Sequence, residues 1–354
     1  MLAALALLEQ CLSPMRASAT GPAWASMERS GGMCAQTDKA EQEGMNPDLP
    51  AYVLITPARN EEAFIEATIE CMIQQTVRPV KWVIVSDGST DRTDVIVEKY
   101  VVKHDWIELV RMPERKDRNF GGKVSSFNAG LERVKGFRYD VVGNLDADLS
   151  FERDLFAFLM SRFADNPNLG VGGAPFTEGN RTYDFRFSDV EHVSGACQLF
   201  RRECFEAIGG YTPLKEGGID VLAVLTARMK GWQTRTFPEK ACFHHRSMGS
   251  ARHGAVAAGF ALGRKDYMLG RHPSWQLFRA FYQMTRPPLI VGGVMLLAGY
   301  VWCVLRRIER IVPEDVVTFQ RREQMGRLTT FFLEQVSFRR HVPGGRVPSQ
   351  QGTS

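Results

Sequence analysis

Two aspartates flank one small residue at Asp146-Ala147-Asp148, directly after the apolar run Tyr139 to Leu145 (YDVVGNL). Carboxylates that close repel each other unless a cation lies between or beside them. A hard divalent ion, Mg²⁺ or Mn²⁺, would satisfy both and would bridge to the phosphates of a nucleotide. As a Lewis acid it would offset charge growing on a departing diphosphate. The same run would also serve as a helix cap at a turn, where aspartate is favoured. Asp87-Gly88-Ser89-Thr90-Asp91 carries two roles at once. Gly88 turns the chain and Ser89 or Thr90 caps the next helix, while Asp87 is left to hydrogen-bond a base or ribose. In Pro57-Ala58-Arg59-Asn60-Glu61-Glu62, Arg59 and Glu61 are ligand candidates, although Glu61 would also favour a helix N-terminus through the dipole. Gly121-Gly122-Lys123 opens a helix, so its N–H groups and the Lys123 ammonium would face an anion, or else form a flexible loop with a solvated lysine.

The elements that must carry these residues follow from hydrophobic periodicity. Ala51–Thr56, Lys81–Ser86, Trp106–Arg111 and Tyr139–Leu145 are short apolar, β-rich runs, as buried strands require. Between them Glu61–Gln74, Asp91–Val102 and Lys123–Val134 have helical spacing; the first has Phe64, Ile65, Thr68, Ile69, Met72 and Ile73 on one stripe. Strands alternating with helices mean βαβ units and a mostly parallel sheet. Ligands of such sheets sit outside the carboxyl ends of the strands, which is where the three polar clusters fall. After Asp148 the pattern loosens into an α+β region to about His253, with a helix at Phe151–Ala164, a strand at Gly170–Ala174, an ordered segment at Gly195–Ile208 and a helix at Leu222–Lys230 ended by Gly231.

At 354 residues, with 44% apolar and 24% charged, the chain has room for one large α/β domain plus appendages. A net charge of +4 does not argue for nucleic acid as a partner. Cys11, Cys34, Cys71, Cys197, Cys204, Cys242 and Cys303 form no CxxC pair and suit reduced thiols in the cytoplasm. The start of the chain is expected to be a disordered extension. No basic segment precedes Ala3–Leu8, as a secretory signal would require, and translation from Met27, Met33 or Met45 is an alternative. Pro287–Leu305 carries no charge across nineteen residues, is followed by Arg306, Arg307 and Arg310, and has Tyr300 and Trp302 suited to an interface. Gly292, Gly293 and Gly299 lower its hydrophobicity, so a membrane-inserted segment stands against a buried core helix. Trp275–Met284 would lie along a membrane surface as an amphipathic helix.

From Ala51 to about His253 the chain resembles the inverting family 2 glycosyltransferases of GT-A fold. PARNEE, DGSTD, GGKVSSFNAGL (121–131) and NLDAD (144–148) carry the likeness, with GACQLFRRECFEAIGGY (195–211) and GGIDVLAVLTARMKGW (217–232). The resemblance implies an α/β, Rossmann-like GT-A fold with flanking helices; the uncharged and amphipathic runs add a C-terminal membrane-associated helical tail. Together with the composition of the flanking stretches, this divides the chain into an extension (1–47), the catalytic domain (48–255), an amphipathic and hydrophobic membrane-associated segment (256–311) and a polar basic tail, partly disordered (312–354). The resemblance implies nucleotide-sugar contacts at Pro57, Arg59, Glu61, Asp87, Lys123 and Asp146, a metal (Mg²⁺ or Mn²⁺) at Asp148, and a base at Asp220. The acidic residue that usually precedes this base is Ile219 here, which leaves the tuning of the base open. Asp220 would otherwise cap its helix. His244 resembles the late histidine that completes the metal site in some members, with His245 its competitor. No QxxRW motif follows Asp220, which disfavours a processive synthase.

The implied activity is sugar transfer from a UDP- or GDP-linked donor to a lipid-linked or saccharide acceptor, with inversion, in envelope or extracellular polysaccharide synthesis. The implied place is the cytoplasmic face of the cell membrane, by monotopic attachment. A polyprenyl-phosphate sugar transferase shares the same front motifs, and a non-catalytic nucleotide-sugar-binding scaffold is a second alternative. A Rossmann dehydrogenase is disfavoured because the first strand leads into Thr56-Pro57-Ala58-Arg59-Asn60, with no GxGxxG cradle.

Overall fold

The computed structural model describes residues 49–114, 120–178, 190–246, 254–286 and 288–340. The expected N-terminal extension with Cys11 and Cys34, Pro287, and the tail beyond 340 lie outside these residues. The four leading strands are β1 (Tyr52–Ala58), β2 (Lys81–Asp87), β3 (Ile107–Met112) and β4 (Val141–Leu145). They alternate with α1 (Ile65–Ile73), α2 (Thr93–Val101) and α3 (Phe120–Val134). Next come β5 (Leu149–Ser150), α4 (Leu155–Asp165), β6 (Leu169–Gly173) and β7 (Phe176–Thr177). The segment Gly195–Ile208 resolves into β8 (Cys197–Arg201) and α5 (Arg202–Ile208). The order continues with α6 (Ile219–Met229), β9 (Gln233–Thr236) and β10 (Cys242–His244).

The main sheet has seven strands in the order β3-β2-β1-β4-β8-β6-β9. β8 runs antiparallel to both of its neighbours, and the other pairings are parallel. Parallel strands covered on both faces are apolar throughout, and residues of β1 alternate between two cores. On one face Leu54, Ile84 and Leu145 pack with Ile65, Ile69, Leu155 and Phe156 of α1 and α4. On the other, Val53, Ile55, Val85 and Val142 pack with Phe127 of α3 and with Ala223 and Val224 of α6. A separate three-stranded sheet, β5-β10-β7, lies at the end of β4; it holds the site together.

Four helices follow: α7 (Ala255–Met268), α8 (Pro273–Met284), α9 (Leu289–Leu305) and α10 (Glu314–Arg340). The last runs through the charged part of the expected polar tail; the Pro/Gly/Ser/Gln ending expected to be disordered lies outside the described residues. The N-terminal residues Val316 and Val317 of α10 join Leu269 and Val312 against Leu222 and Leu225 of α6. The glycines that lowered the hydrophobicity of α9 serve packing. A Cβ on Gly299 would lie 2.1 Å from the carbonyl oxygen of Phe260 in α7, so only glycine lets the two backbones approach so closely. Between α7 and α8, buried Asp266 is held by Arg271 at 2.8 Å and by Arg279. Burial pushes the Asp266 carboxyl up, but the two guanidiniums prevail and hold it below the ordinary carboxylate range. Among the described residues no helix is long and apolar enough to cross a membrane. The outward face of α9 is nevertheless aliphatic along its length, with Ile290, Val291, Val294, Val301, Val304 and Leu305 all exposed.

Candidate active site

The two leading motifs lock onto each other. Asn60 takes a left-handed backbone (φ 56°), a conformation asparagine tolerates. Its side-chain oxygen accepts the Thr90 N–H (2.8 Å), and its own N–H donates to Ser89 Oγ (3.2 Å). The Glu61 and Glu62 N–H groups donate to Thr93 Oγ1 (2.8 Å) and Asp91 Oδ2 (3.0 Å). Ser89 and Thr90 therefore do not cap α2. The cap position is Arg92, which makes no side-chain cap bond; one residue earlier, Asp91 Oδ1 accepts the Thr93 N–H at 3.0 Å. Likewise α1 starts at Ile65, not at Glu61, because Asn60 to Glu62 are bound across the rim. Gly88 (φ 63°) could carry no side chain, since a Cβ would lie 2.5 Å from Glu114 Cα. Pro57 is half-buried in β1 opposite Val85, and the Arg59 guanidinium lies 4.0 Å from the Asp87 carboxylate.

Asp146-Ala147-Asp148 caps no helix: β5 follows it, and the next helix begins at Leu155. The run is fixed through its backbone. The Asp146 N–H donates to Ala196 O (2.8 Å). The hydroxyl of buried Thr68 shares its proton between Ala147 O (2.9 Å) and Leu149 O (2.8 Å) and accepts the Leu149 N–H (3.1 Å). With this frame set, the two carboxylates face different partners. Asp146 Oδ1 receives Lys123 Nζ (2.5 Å) and Asn144 Nδ2 (3.1 Å). Asp148 is buried, and His244 Nε2 stands 3.5 Å from its Oδ1. β10 brings that histidine in, pairing antiparallel with β5 so that His244 lies opposite Leu149. His245 is turned elsewhere: its Nε2 lies 2.6 Å from Ser150 Oγ and its ring stacks on Phe64.

Asp146, Asp148 and His244 each offer a ligand atom within 4.8 Å of the others. Burial, followed by the neighbouring Asp146 charge, raises the Asp148 carboxyl above its ordinary value; His244 and Arg246 oppose the shift. A cation at this point would offset both the burial cost and the repulsion. Two carboxylates and one imidazole form an oxygen-rich donor set that fits Mg²⁺ or Mn²⁺.

Asp220 lies in the first turn of α6, whose cap position is Gly218 with no side-chain bond, so Asp220 is not a cap. Its carboxylate accepts the Gly195 N–H at 3.2 Å. The carbonyl of the same glycine accepts Asn144 Nδ2 (2.5 Å) and Lys123 Nζ (3.5 Å). One residue thus joins Asp220 to the Asp146 side of the site. Ile219, where an acidic residue was expected, is buried.

The first strand, its loop and the aspartate pair fall within residues 53–192, which match the family model for glycosyl transferase family 2. These residues form a family 2 glycosyltransferase domain. The family 2 match ends before Asp220 and His244, whose placement rests on the fold. A probable glycosyltransferase, YdaM, of Bacillus subtilis is 30% identical over 54% of this chain and 50% of its own length. The β-monoglucosyldiacylglycerol synthase of a Synechocystis strain is 26% identical over 54% of this chain and 38% of its own. The chain thus spans half or less of the length of these curated relatives. Among solved structures, the mannosyltransferase PcManGT from Pyrobaculum calidifontis, in complex with GDP-Man and Mn²⁺, covers 83% of this chain and 82% of its own. Its TM-score is 0.50 at 18% identity, a likeness of fold: α/β, with the mostly parallel central sheet of the GT-A enzymes.

Three side chains of the site escaped the sequence reading. Thr68 looks like filler in an apolar helical stripe, and nothing in its spacing announces a bond to the strand-end loop. Asn144 sits inside a strand. Arg246 donates to Glu61 Oε2 at 2.6 Å and lies 4.0 Å from Asp148 Oδ2; its place directly after two histidines was the one available signal.

Proposed function

We propose that this family 2 glycosyltransferase moves a sugar from a UDP- or GDP-linked nucleotide-diphospho-sugar to an acceptor hydroxyl with inversion. The observation that carries this is the joining of Asp220 to the Asp146-Asp148-His244 cluster through Gly195. Asp87 and Arg59 face the nucleoside, with Pro57 and Glu61 shaping the same rim. Lys123 and Asp146 meet the diphosphate end. Asp148 and His244 would hold Mg²⁺ or Mn²⁺, which when bound supplies Lewis-acid stabilisation of the departing nucleoside diphosphate. Asp220 accepts the acceptor's proton as its oxygen attacks the anomeric carbon from the face opposite the diphosphate, and a single displacement inverts the centre. Lys123 adds positive charge near the leaving group. The GDP-Man and Mn²⁺ bound by the fold neighbour support the donor class and the metal.

The acceptor in this proposal is a lipid-linked saccharide, and the setting is envelope or extracellular polysaccharide synthesis at the cytoplasmic face of the cell membrane. The outward aliphatic stripe of α9, followed by Arg306 and Arg307, supports monotopic attachment to an anionic lipid surface. A seventeen-residue helix is about 25 Å long, short of the ~30 Å hydrocarbon core, and suits lying in the interface better than crossing it. A diacylglycerol named in one relative is in keeping with a lipid acceptor.

The test is donor hydrolysis by the purified protein with a panel of UDP-, GDP- and dTDP-sugars in Mn²⁺ or Mg²⁺. Metal-dependent release of nucleoside diphosphate from one donor class is expected. No release from any donor, with or without membrane lipid extract as acceptor, would favour a non-catalytic scaffold. A glycosyl phosphate product, in place of a glycosidic bond, would instead identify a polyprenyl-phosphate sugar transferase.

A further inference from the structure

The small sheet brings together one chemically active side chain at or beside the end of each of its strands. Asp148 immediately precedes β5, and His244 ends β10. β7 runs parallel to β10, with Phe176 opposite Cys242 and Thr177 opposite Phe243, so the next step in that register sets Glu178 beside His244. Glu178 Oε1 lies 3.7 Å from His244 Nδ1, while Nε2 on the other side of the ring lies 3.5 Å from Asp148 Oδ1. The imidazole is 6% exposed, its ring is 5.3 Å from that of Phe176, and among the described residues its Nδ1 has no hydrogen-bond partner. A neutral imidazole can offer a lone pair from Nε2 only when its proton is on Nδ1. A carboxylate facing Nδ1 selects that tautomer, fixes the ring plane and makes Nε2 a better donor.

We propose that Glu178 is a positioning residue of the metal centre, holding His244 in its Nδ1-protonated form with Nε2 free to meet the ion that Asp148 would hold with it. This rests on His244 being a ligand, as in the function proposed above. Glu178 acts on the metal centre through the histidine. No sequence motif marks it, because its neighbour in space is more than sixty residues away and the contact exists only through strand pairing.

The experiment titrates Mn²⁺ alone into the purified full chain and follows the free ion by electron paramagnetic resonance. Glu178→Leu is expected to weaken Mn²⁺ binding by about 10–100-fold. Glu178→Gln, whose amide oxygen still accepts from Nδ1–H, should recover most of that loss. In a His244→Ala background, Glu178→Leu should change nothing further. Wild-type affinity in Glu178→Leu, or an undiminished effect without His244, would overturn the proposal. Should Glu178→Leu not fold, ¹⁵N histidine spectra of the wild-type protein decide: an Nε2-protonated His244 also overturns it. Equal Mn²⁺ affinity in wild type and His244→Ala is a separate failure, that of His244 as a ligand.

Discussion

At the sheet rim, Thr68, Asn60 and Asp91 commit their side chains to backbone groups of other loops. In the C-terminal helices, Gly299 and Gly263 have no side chain to commit, and they let backbones meet so closely that a Cβ would fall 2.1 and 2.0 Å from carbonyl oxygens of the neighbouring helix. The two regions meet at α6, which carries Asp220 at its start and receives Leu269, Val316 and Val317 on Leu222 and Leu225. The rim is polar and directional, and a metal held there would need its donors fixed to within fractions of an ångström. The helical layer is held by close apolar packing and leaves an aliphatic face outward. The difference teaches that the rim is set by hydrogen-bonded backbone frames, and the helical layer by close packing that leaves one aliphatic face exposed.

The contrast is broken most severely at Asp220. Asp220→Asn should lower the transfer rate by about 10²–10⁴-fold with an unchanged circular dichroism spectrum, since it removes the proposed general base and little packing. Asp148→Ala should match it in assays with Mn²⁺. Wild-type-like turnover in either variant would remove that residue from the chemistry. The complementary change lies in the helical layer. Val294→Asp with Val301→Asp should weaken binding to phosphatidylglycerol vesicles by about tenfold per valine, yet leave donor hydrolysis in solution as in wild type. Equal vesicle binding by this double variant would mean that the α9 stripe does not face lipid. The smallest effect tests the frame itself. Thr68→Val keeps the shape but leaves the Ala147 and Leu149 backbone groups unpaired, a loss of about 1–3 kcal/mol in unfolding free energy, readable in urea. If the rim depends on that frame, Mn²⁺ affinity should fall with it; stability lost at constant affinity would show that Thr68 serves the core alone.

Periodicity located the leading strands and helices to within a few residues, because βαβ units bury apolar stripes whose spacing is written locally. The strand-end positions of Asp87, Asp146 and Asp148 followed from the same pattern, as did the helix carrying Asp220. Boundaries failed where side chains were engaged across loops: α1 starts late because Asn60 to Glu62 are bound to the Asp87–Thr93 turn. The segment before Ile208 could not be divided into β8 and α5, since a short apolar run suits either element. The charged stretch from Glu314 reads as tail by composition, and becomes helix where Val316 and Val317 find α6.

By itself, then, the sequence determined the residue types at the rim, the parallel α/β order that gathers them there, and the uncharged length of α9. It determined these because each depends on neighbours within a turn or a strand. Only the tertiary structure decided that His244 and not His245 meets Asp148, that Glu178 stands behind it, and that Asp220 joins the cluster through Gly195. Those choices depend on the register of β5, β10 and β7 and on where α6 lands, pairings between segments tens of residues apart that no local pattern specifies.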